Sequence, residues 1–340
     1  MADRAEVAAG LDARAGAAQA KASRAQLLRV AGALVLLVIA AFVVNAYAGG
    51  AFLTARNITN VLRQISETAV MAIGETFVII TAGIDLSVGS VAALAGVVMA
   101  LVANALPFGG VSLVLATLVT GVALGAAAGW INALPVVKLN LPPFITTLAM
   151  LSIARGLAYR LAGGRPVPLT SDAFSSIGTG TIAGVPASVW WMAVLVAAFA
   201  IVLGRMRFGR YVYALGGNEE AARLAGVRVG TTKTLVYVLG GALSAIAGFL
   251  LMTRFSSGSP NSATGYELQA IAAVVVGGTS LTGGRGSIVG TFLGALFIGL
   301  LNNVMNLLQI ESYTQQIVLG VVILLAVIVD EARKRFVGKK

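Results

Sequence analysis

Apolar runs, each about long enough to cross a bilayer, recur along almost the whole 340-residue chain. A helical span needs about 20 mainly apolar residues, because every backbone amide in hydrocarbon must be hydrogen-bonded within its own segment. An outer-membrane barrel would show strands of about ten residues with polar alternation. The pattern predicts an all-α membrane protein, a polytopic bundle of about ten transmembrane helices. The predicted spans are 27–47, 58–82, 87–106, 111–135, 143–162, 187–204, 233–253, 267–281, 286–308 and 314–330.

Glycine and hydroxyl residues interrupt the apolar pattern at two places, between Gly83 and Ser87 and between Gly277 and Gly286. Because glycine favours turns and weakens helices, we predict broken helices at both. The spans form one transmembrane domain over 27–330. A charged tail, 1–26, precedes it and a basic tail, 331–340, follows it.

The chain carries a net charge of +11, and its basic residues are unevenly placed. With ten spans, 18 of the 24 Lys and Arg residues fall on one side, which the positive-inside rule makes cytoplasmic. Both termini and the loop 205–232 are then cytoplasmic, and Arg155 and Arg254 lie at or near the outer face. This distribution explains the charge without nucleic acid, and leaves contact with anionic membrane lipid near the tails.

Several chemistries are excluded by residue types that the sequence lacks. It has no Cys and no His, so it offers no thiolate or imidazole metal site, no Cys nucleophile and no Ser-His-Asp triad. It also lacks the G-x-x-x-x-G-K-[ST] loop that binds nucleotide phosphates. We therefore expect no catalytic residue, no metal and no cofactor in this chain.

Carboxylates within or beside apolar segments are costly, at about 2.5 to 3.5 kcal/mol for a central position. Glu67, Glu75, Asp85 and Glu267 are in this position, and each must face water, a partner or the bundle interior. In "ITAGIDLSVGS", Asp85 or Ser87 is expected to cap the helix that follows the glycine break. Lining or closing a pathway is the second interpretation of Asp85, and proton carriage is the third.

Neutral polar residues in the spans are suited to a hydroxyl-rich cargo, although bonding between membrane helices is their commoner use. The second glycine break, "GGTSLTGGRGSIVG", contains Thr282 and Arg285. The residues predicted to line or gate a pathway are Glu67, Glu75, Asp85, Ser87, Asn132, Thr282, Asn302 and Asn303.

The longest polar interval, "GRMRFGRYVYALGGNEEAARLAGVRVGTTK", contains a short helix signal. Asn218 is a good cap, Glu219 and Glu220 suit the positive end of a helix, and Gly226 ends it. A two-turn helix does not persist alone in water, so it rests either on the protein's own surface or in a partner.

Four stretches together resemble the ribose-type permeases of ATP-binding cassette (ABC) importers. They are "ITAGIDLSVGS", "LNLPPFITTLAMLSIARGLAYRLAGGRPV", "GRYVYALGGNEEAARLAGV" and "AIAAVVVGGTSLTGGRGSIVGTFLGALFIGLLNN", in the family's order. The resemblance runs from about residue 57 to residue 330. It implies that the short helix docks on an ATPase subunit, through the residues Asn218, Glu219, Glu220, Ala221, Ala222 and Gly226.

The resemblance further implies a multi-pass permease of the bacterial cytoplasmic membrane that carries a monosaccharide or a related polyhydroxylated solute. Its implied partners are two ABC ATPase subunits that use ATP and Mg, a second permease that is commonly a copy of itself, and an extracytoplasmic sugar-binding protein. Selectivity then lies mostly in the binding protein, so the sequence does not name the sugar.

Two other function classes remain open on the residues alone. One is a secondary transporter driven by an ion gradient through Glu67, Glu75 or Asp85. The other is a passive channel or a membrane-embedded enzyme, for which no charged ring and no catalytic cluster is visible. For the importer, we expect Asp85→Asn to impair assembly or gating without changing which sugar is carried.

Overall fold

The computed structural model describes nine positions between Gly32 and Ala46, residues 50–107 and residues 109–337. This part of the chain is almost entirely helical. The helices are α1 (Ala55–Ile80), α2 (Val88–Ala105), α3 (Gly110–Lys138), α4 (Pro143–Ala162), α5 (Ser175–Gly178), α6 (Ala187–Arg205), α7 (Arg207–Gly217), α8 (Glu219–Leu224), α9 (Val229–Phe255), α10 (Tyr266–Val276), α11 (Ile288–Leu307) and α12 (Ser312–Val337).

Four two-residue strands form two small antiparallel pairs. β1 (Val167–Pro168) pairs with β4 (Ser257–Gly258), which follows α9, and β2 (Thr181–Ile182) pairs with β3 (Val185–Pro186). The β1–β4 pair joins the loop after α4 to the segment after α9. An all-α membrane bundle, as predicted, accounts for everything else in the described part of the chain.

The helices follow nine of the predicted spans, and the first, 27–47, lies outside the described residues except for scattered helical positions. Within the described part, six helices are long and apolar enough to cross a membrane: α2, α3, α6, α9, α11 and the Ser312–Ala332 part of α12. The helices α1 and α4 carry charged residues, and α10 has only 11 residues. The total of about ten transmembrane helices is therefore not confirmed.

Both predicted helix breaks are present, at 81–87 and at 277–287. The first break begins with Ala82 in the left-handed conformation, one residue before the glycine that the sequence suggested. Gly83 has a different reason to be small, because a Cβ there would lie 2.6 Å from the hydroxyl of Tyr237. Its amide closes the end of α1 by donating to the carbonyl of Val78 at 3.0 Å.

The helix α9 is the centre of the bundle and packs against α1, α2 and α3. In α9, 72% of an apolar stretch of 18 residues is buried, compared with 6% of such a stretch in α12. The contact with α3 is nearly backbone to backbone, since a Cβ on Gly125 would lie 2.2 Å from the carbonyl oxygen of Gly241. Small residues allow such close approach between membrane helices, where no hydrophobic effect drives them together.

The bundle has two distinct ends. At one end, which we call the α8 end, the amide of Gly284 donates to the carbonyl of Ile80 at 2.9 Å, joining the 277–287 break to the last residue of α1. At the opposite end, Arg63 donates to the carbonyl of Thr179 at 2.6 Å, joining α1 to the loop before β2. Successive long helices run between these ends.

Candidate functional site

The short helix in the polar loop is present and is closed at both ends by its own sequence. The side chain of Asn218 accepts the amide of Ala221 at 2.9 Å, which caps the start of α8. Gly226 is left-handed, with φ 85°, and the amide of Val227 reaches back to the carbonyl of Ala222 at 3.0 Å. This is the glycine-ended turn that the sequence predicts.

The helix α8 is attached to the bundle on one side and open on the other. Lys233 of α9 pairs with Glu219 at 2.7 Å, and Ala222 is 5% exposed. By contrast, Leu224, the last residue of α8, is 82% exposed. A cavity of about 360 Å³ lies between α8 and the end of α3. The residues that line it include Arg223 and Arg228.

The helix α7 links α8 to the rest of the molecule through very close contacts. A Cβ on Gly216 would lie 1.7 Å from the carbonyl oxygen of Ile80 and 2.4 Å from the amide of Gly284. Phe208 stacks on Phe77 of α1 with ring centroids 5.8 Å apart. The helix α7 therefore contacts both the end of α1 and the 277–287 break. Sequence reasoning missed Gly216, because its role depends on backbone far away in the chain.

Tyr213 makes a further contact between α7 and the 277–287 break. Its hydroxyl donates to the carbonyl of Gly286 at 2.8 Å. Burial raises the pKa of Tyr213, so the phenol stays neutral and keeps the proton that it donates.

Asp85 organises the first helix break as an acceptor. One carboxylate oxygen accepts both the amide of Ser87, at 2.8 Å, and the hydroxyl of Ser87, at 2.5 Å. The expected capping is thus wrong in detail, because Ser87 makes no side-chain cap to α2 and Asp85 bonds the residue just before that helix. The short loop between the helices brings Ser87 close enough to take up the carboxylate itself.

Two of the other predicted pathway residues join Asp85 in a buried cluster. The amide of Asn132 donates to the hydroxyl of Ser87 at 2.9 Å, and Glu75 accepts the backbone amide of Asp85 at 3.1 Å. Glu75, Asp85, Ser87 and Asn132 are each at most 1% exposed. The cluster therefore holds α1, α3 and the break together and is closed to both sides in this conformation.

The remaining predicted pathway residues lie elsewhere. Glu67 forms a buried ion pair with Arg254 of α9 at 2.9 Å. Thr282 is exposed in the 277–287 break, within 3.1 Å of the hydroxyl of Ser280.

Asn302 and Asn303 bond neighbouring helices. The side chains of Asn303 and Asn57 form two hydrogen bonds with each other, at 3.1 and 2.7 Å. The side chain of Asn302 donates to that of Gln269 at 3.4 Å. The structure thus unites four of the eight predicted pathway residues and separates the rest.

The eighth predicted span, 267–281, is helical only as far as Val276. The helix α10 covers about 16 Å of the roughly 30 Å hydrocarbon thickness. Residues 256–265, which form β4 and a series of turns and which we call the extended segment, precede it. A Cβ on Gly258 would lie 2.4 Å from the carbonyl of Gly96, at the middle of α2, and a Cβ on Gly89, near the start of α2, would lie 2.5 Å from the carbonyl of Ala263. The extended segment therefore runs along the N-terminal half of α2.

Arg155 and Tyr159 of α4 hold the extended segment from the other side. Arg155 donates to the carbonyls of Pro260 and Ser262 at 2.6 and 2.8 Å, and the hydroxyl of Tyr159 donates to the side chain of Asn261. Arg155 thus lies beside the segment that packs on α2, and its place relative to the outer face stays a prediction. The polar composition of the segment is typical of a surface loop and carries no signal that the segment packs along α2.

Glu267, in the first turn of α10, turns its carboxylate towards α2. Its Oε1 accepts the amide of Gly265 at 3.3 Å, and its Oε2 would lie 2.3 Å from a Cβ on Gly89. Gly89 is therefore required to be small, and the carboxylate faces protein, as its cost in hydrocarbon demands.

Comparison with known proteins gives one consistent family. Residues 57–327 match the family described as "Branched-chain amino acid transport system / permease component". The chain is 45% identical to the ribose import permease protein RbsC of Escherichia coli K12, over 92% of this chain and 96% of that protein. Identity is 44% to the RbsC of Bacillus subtilis 168, covering 88% and 91%, and 38% to the L-arabinose transport system permease protein AraH of Escherichia coli K12, covering 89% of each. No solved structure matches.

Proposed function

Because the chain belongs to the ribose-type family of ABC importer permeases, we propose that it forms the translocation pathway of an ATP-driven importer for a monosaccharide or a related polyhydroxylated solute. Its relatives include permeases named for ribose, L-arabinose and xylose. It is a multi-pass inner-membrane transport protein. The chain has no nucleotide-binding loop, so the energy comes from a partner.

The observation that carries this proposal is the construction of α8 and α7. A capped two-turn helix carries an exposed leucine, Leu224, and is fixed to the bundle by the Glu219–Lys233 pair. The contacts of α7 join it to the end of α1 and to the 277–287 break. A helix that is open on one side and rigidly attached on the other is suited to pass a partner's movement into the bundle.

The proposed assembly contains two ABC ATPase subunits, which bind ATP and Mg, and two permeases, here two copies of this chain. An extracytoplasmic binding protein delivers the sugar. The α8 end faces the cytoplasm, in agreement with the basic residues at positions 205–233. Asn218, Glu219, Glu220, Ala221, Ala222 and Gly226 shape the helix that docks on the ATPase.

In the proposed cycle, ATP binding closes the ATPase pair, and α8 carries this movement through Gly216 to the ends of α1 and of the 277–287 break. The pathway then changes the side to which it opens. The Asp85 cluster lies at the start of α2, just after the first helix break. It is proposed to keep the junction between α1 and α2 rigid while α1 moves.

Replacement of the exposed leucine of α8 tests the docking directly. We expect Leu224→Glu to abolish copurification of the ATPase subunit with the tagged permease, because a carboxylate replaces the apolar contact at the centre of the interface. Thr231→Glu is the matched control, since Thr231 is also exposed at the α8 end and gains the same charge. Retention of the ATPase by Leu224→Glu would refute the proposed docking site.

A further inference from the structure

The extended segment places polar backbone and side chains along the first half of α2, a helix long and apolar enough to cross a membrane. Irregular backbone at membrane depth is tolerated only where protein surrounds it or where it lines a water-filled cavity. The helix α2 covers one side of the segment, burying Gly258, Pro260 and Ala263. The side away from α2 is bonded by α4 but leaves the side chains of Asn261 and Thr264 exposed. That exposed side therefore faces either water or a partner chain, and not lipid.

A charged side chain supports the same conclusion. The guanidinium of Arg155 lies beside the segment that packs on α2, where a charge facing lipid costs several kcal/mol. Its bonds to the carbonyls of Pro260 and Ser262 satisfy two backbone acceptors of the segment. Arg155 thus fixes the shape of the segment and marks this region as one that lipid does not enter.

The exposed groups have one chemistry in common, which is neutral hydrogen bonding. Asn261 presents an amide, Thr264 presents a hydroxyl, and Tyr159, itself 39% exposed, presents the face of its ring and a phenol that already donates to Asn261. The carboxylate of Glu267 is turned away towards α2. Neutral donors and acceptors beside an aromatic ring suit an uncharged, hydroxyl-rich molecule, and give no strong site to an ion or to an apolar molecule.

We propose that Asn261 and Thr264 of the extended segment, with Tyr159 of α4, contact the sugar as it passes the middle of the membrane. The segment is held on three sides, by α2, by Arg155 and by the β1–β4 pair. This rigidity keeps its polar groups in place with no cargo present, so that sugar hydroxyls replace water without rearrangement of the backbone. The inference rests on the proposed sugar import and adds to it the residues that meet the cargo.

Single cysteines test whether the segment faces water. The chain has no Cys, so Asn261→Cys and Thr264→Cys each introduce the only thiol. In the assembled complex, both should react with a charged, membrane-impermeant methanethiosulfonate, at least tenfold faster than Val194→Cys. Val194, on α6, is 64% exposed in the isolated chain and belongs to a helix long and apolar enough to cross a membrane, where we expect it to face lipid. No reaction at either position would overturn the proposal in favour of burial against a partner.

Transport per ATP tests contact with the cargo. We expect Thr264→Val to lower ATP-driven uptake of ribose, L-arabinose or xylose at least fivefold while the ATPase rate is unchanged. Thr120→Val is the matched control, because the hydroxyls of Thr264 and Thr120 each donate to a backbone carbonyl at 2.8 Å. Equal uptake per ATP in the two variants would overturn the proposed contact. The thiol reaction needs neither sugar nor ATP, so it still decides on the water-facing segment if the import function itself fails.

Discussion

Asp85 shows how one buried side chain sets a helix junction. Its carboxylate takes two bonds from Ser87, and its backbone amide is held by Glu75. An acceptor that satisfies two buried donors is expensive to remove, since each donor would lose its partner where no water replaces it. The residue therefore acts through structure, and its contacts lie at most 1% exposed.

We expect Asp85→Ala to lower the stability of the permease by about 1 to 3 kcal/mol. Asp85→Asn should be much milder, because the amide oxygen still accepts from Ser87 and one of two neighbouring carboxylates is removed. Of the sequence-based expectation that Asp85→Asn impairs assembly or gating, the bonds of Ser87 make the loss of assembly the smaller effect. The measurement is the fraction of monodisperse protein after heating in detergent. An equal loss of stability in both variants would contradict this structural role of Asp85. A changed preference among ribose, L-arabinose and xylose would also contradict it.

At the scale of elements, local signals were enough wherever an element is fixed by its own residues. Asn218 and Gly226 predicted the ends of α8 because a cap and a left-handed glycine act within a few residues. Glycines also located both helix breaks. The extended segment was missed because Ser, Asn, Thr and Gly have the composition of an ordinary loop. Only its packing on α2 sets its depth, and that packing involves residues more than 150 positions away.

The same limit applies to the candidate site. The sequence selected Glu75, Asp85, Ser87 and Asn132 because polar residues are costly in apolar spans, but not the bonds that join them. Arg155 was placed by counting charges along the chain, and its bonds to Pro260 and Ser262 are visible only in three dimensions.

The contact of α7 with α1 gives a prediction at this scale. Gly216→Ala should cost about 1 to 3 kcal/mol and reduce ATP-driven uptake, because the new Cβ would collide with the backbone of Ile80 and Gly284. Gly217→Ala is the control, since no atom lies within 4 Å of a Cβ at that neighbouring position. Thermal stability and uptake are measured for both variants. Similar behaviour of the two would show that this contact does not transmit movement.

For the whole molecule, the sidedness of the bundle is a separate prediction. We expect Thr231→Cys, at the α8 end, to be protected from an impermeant thiol reagent in intact spheroplasts, and Thr181→Cys, at the opposite end, to be labelled. Both positions are exposed in the structure, and the chain has no other Cys. The asymmetric placement of Lys and Arg is the physical reason. The reverse labelling pattern would invert the proposed orientation.

The most direct test of the account is the energy source of uptake. Proteoliposomes that contain the permease with its ATPase partner, supplied with the loaded binding protein, are assayed with labelled ribose, L-arabinose and xylose. We predict uptake of at least one sugar that requires ATP hydrolysis and persists when an ionophore collapses ion gradients. Uptake by this chain alone, without ATP and abolished by the ionophore, would contradict the account and identify an ion-driven transporter.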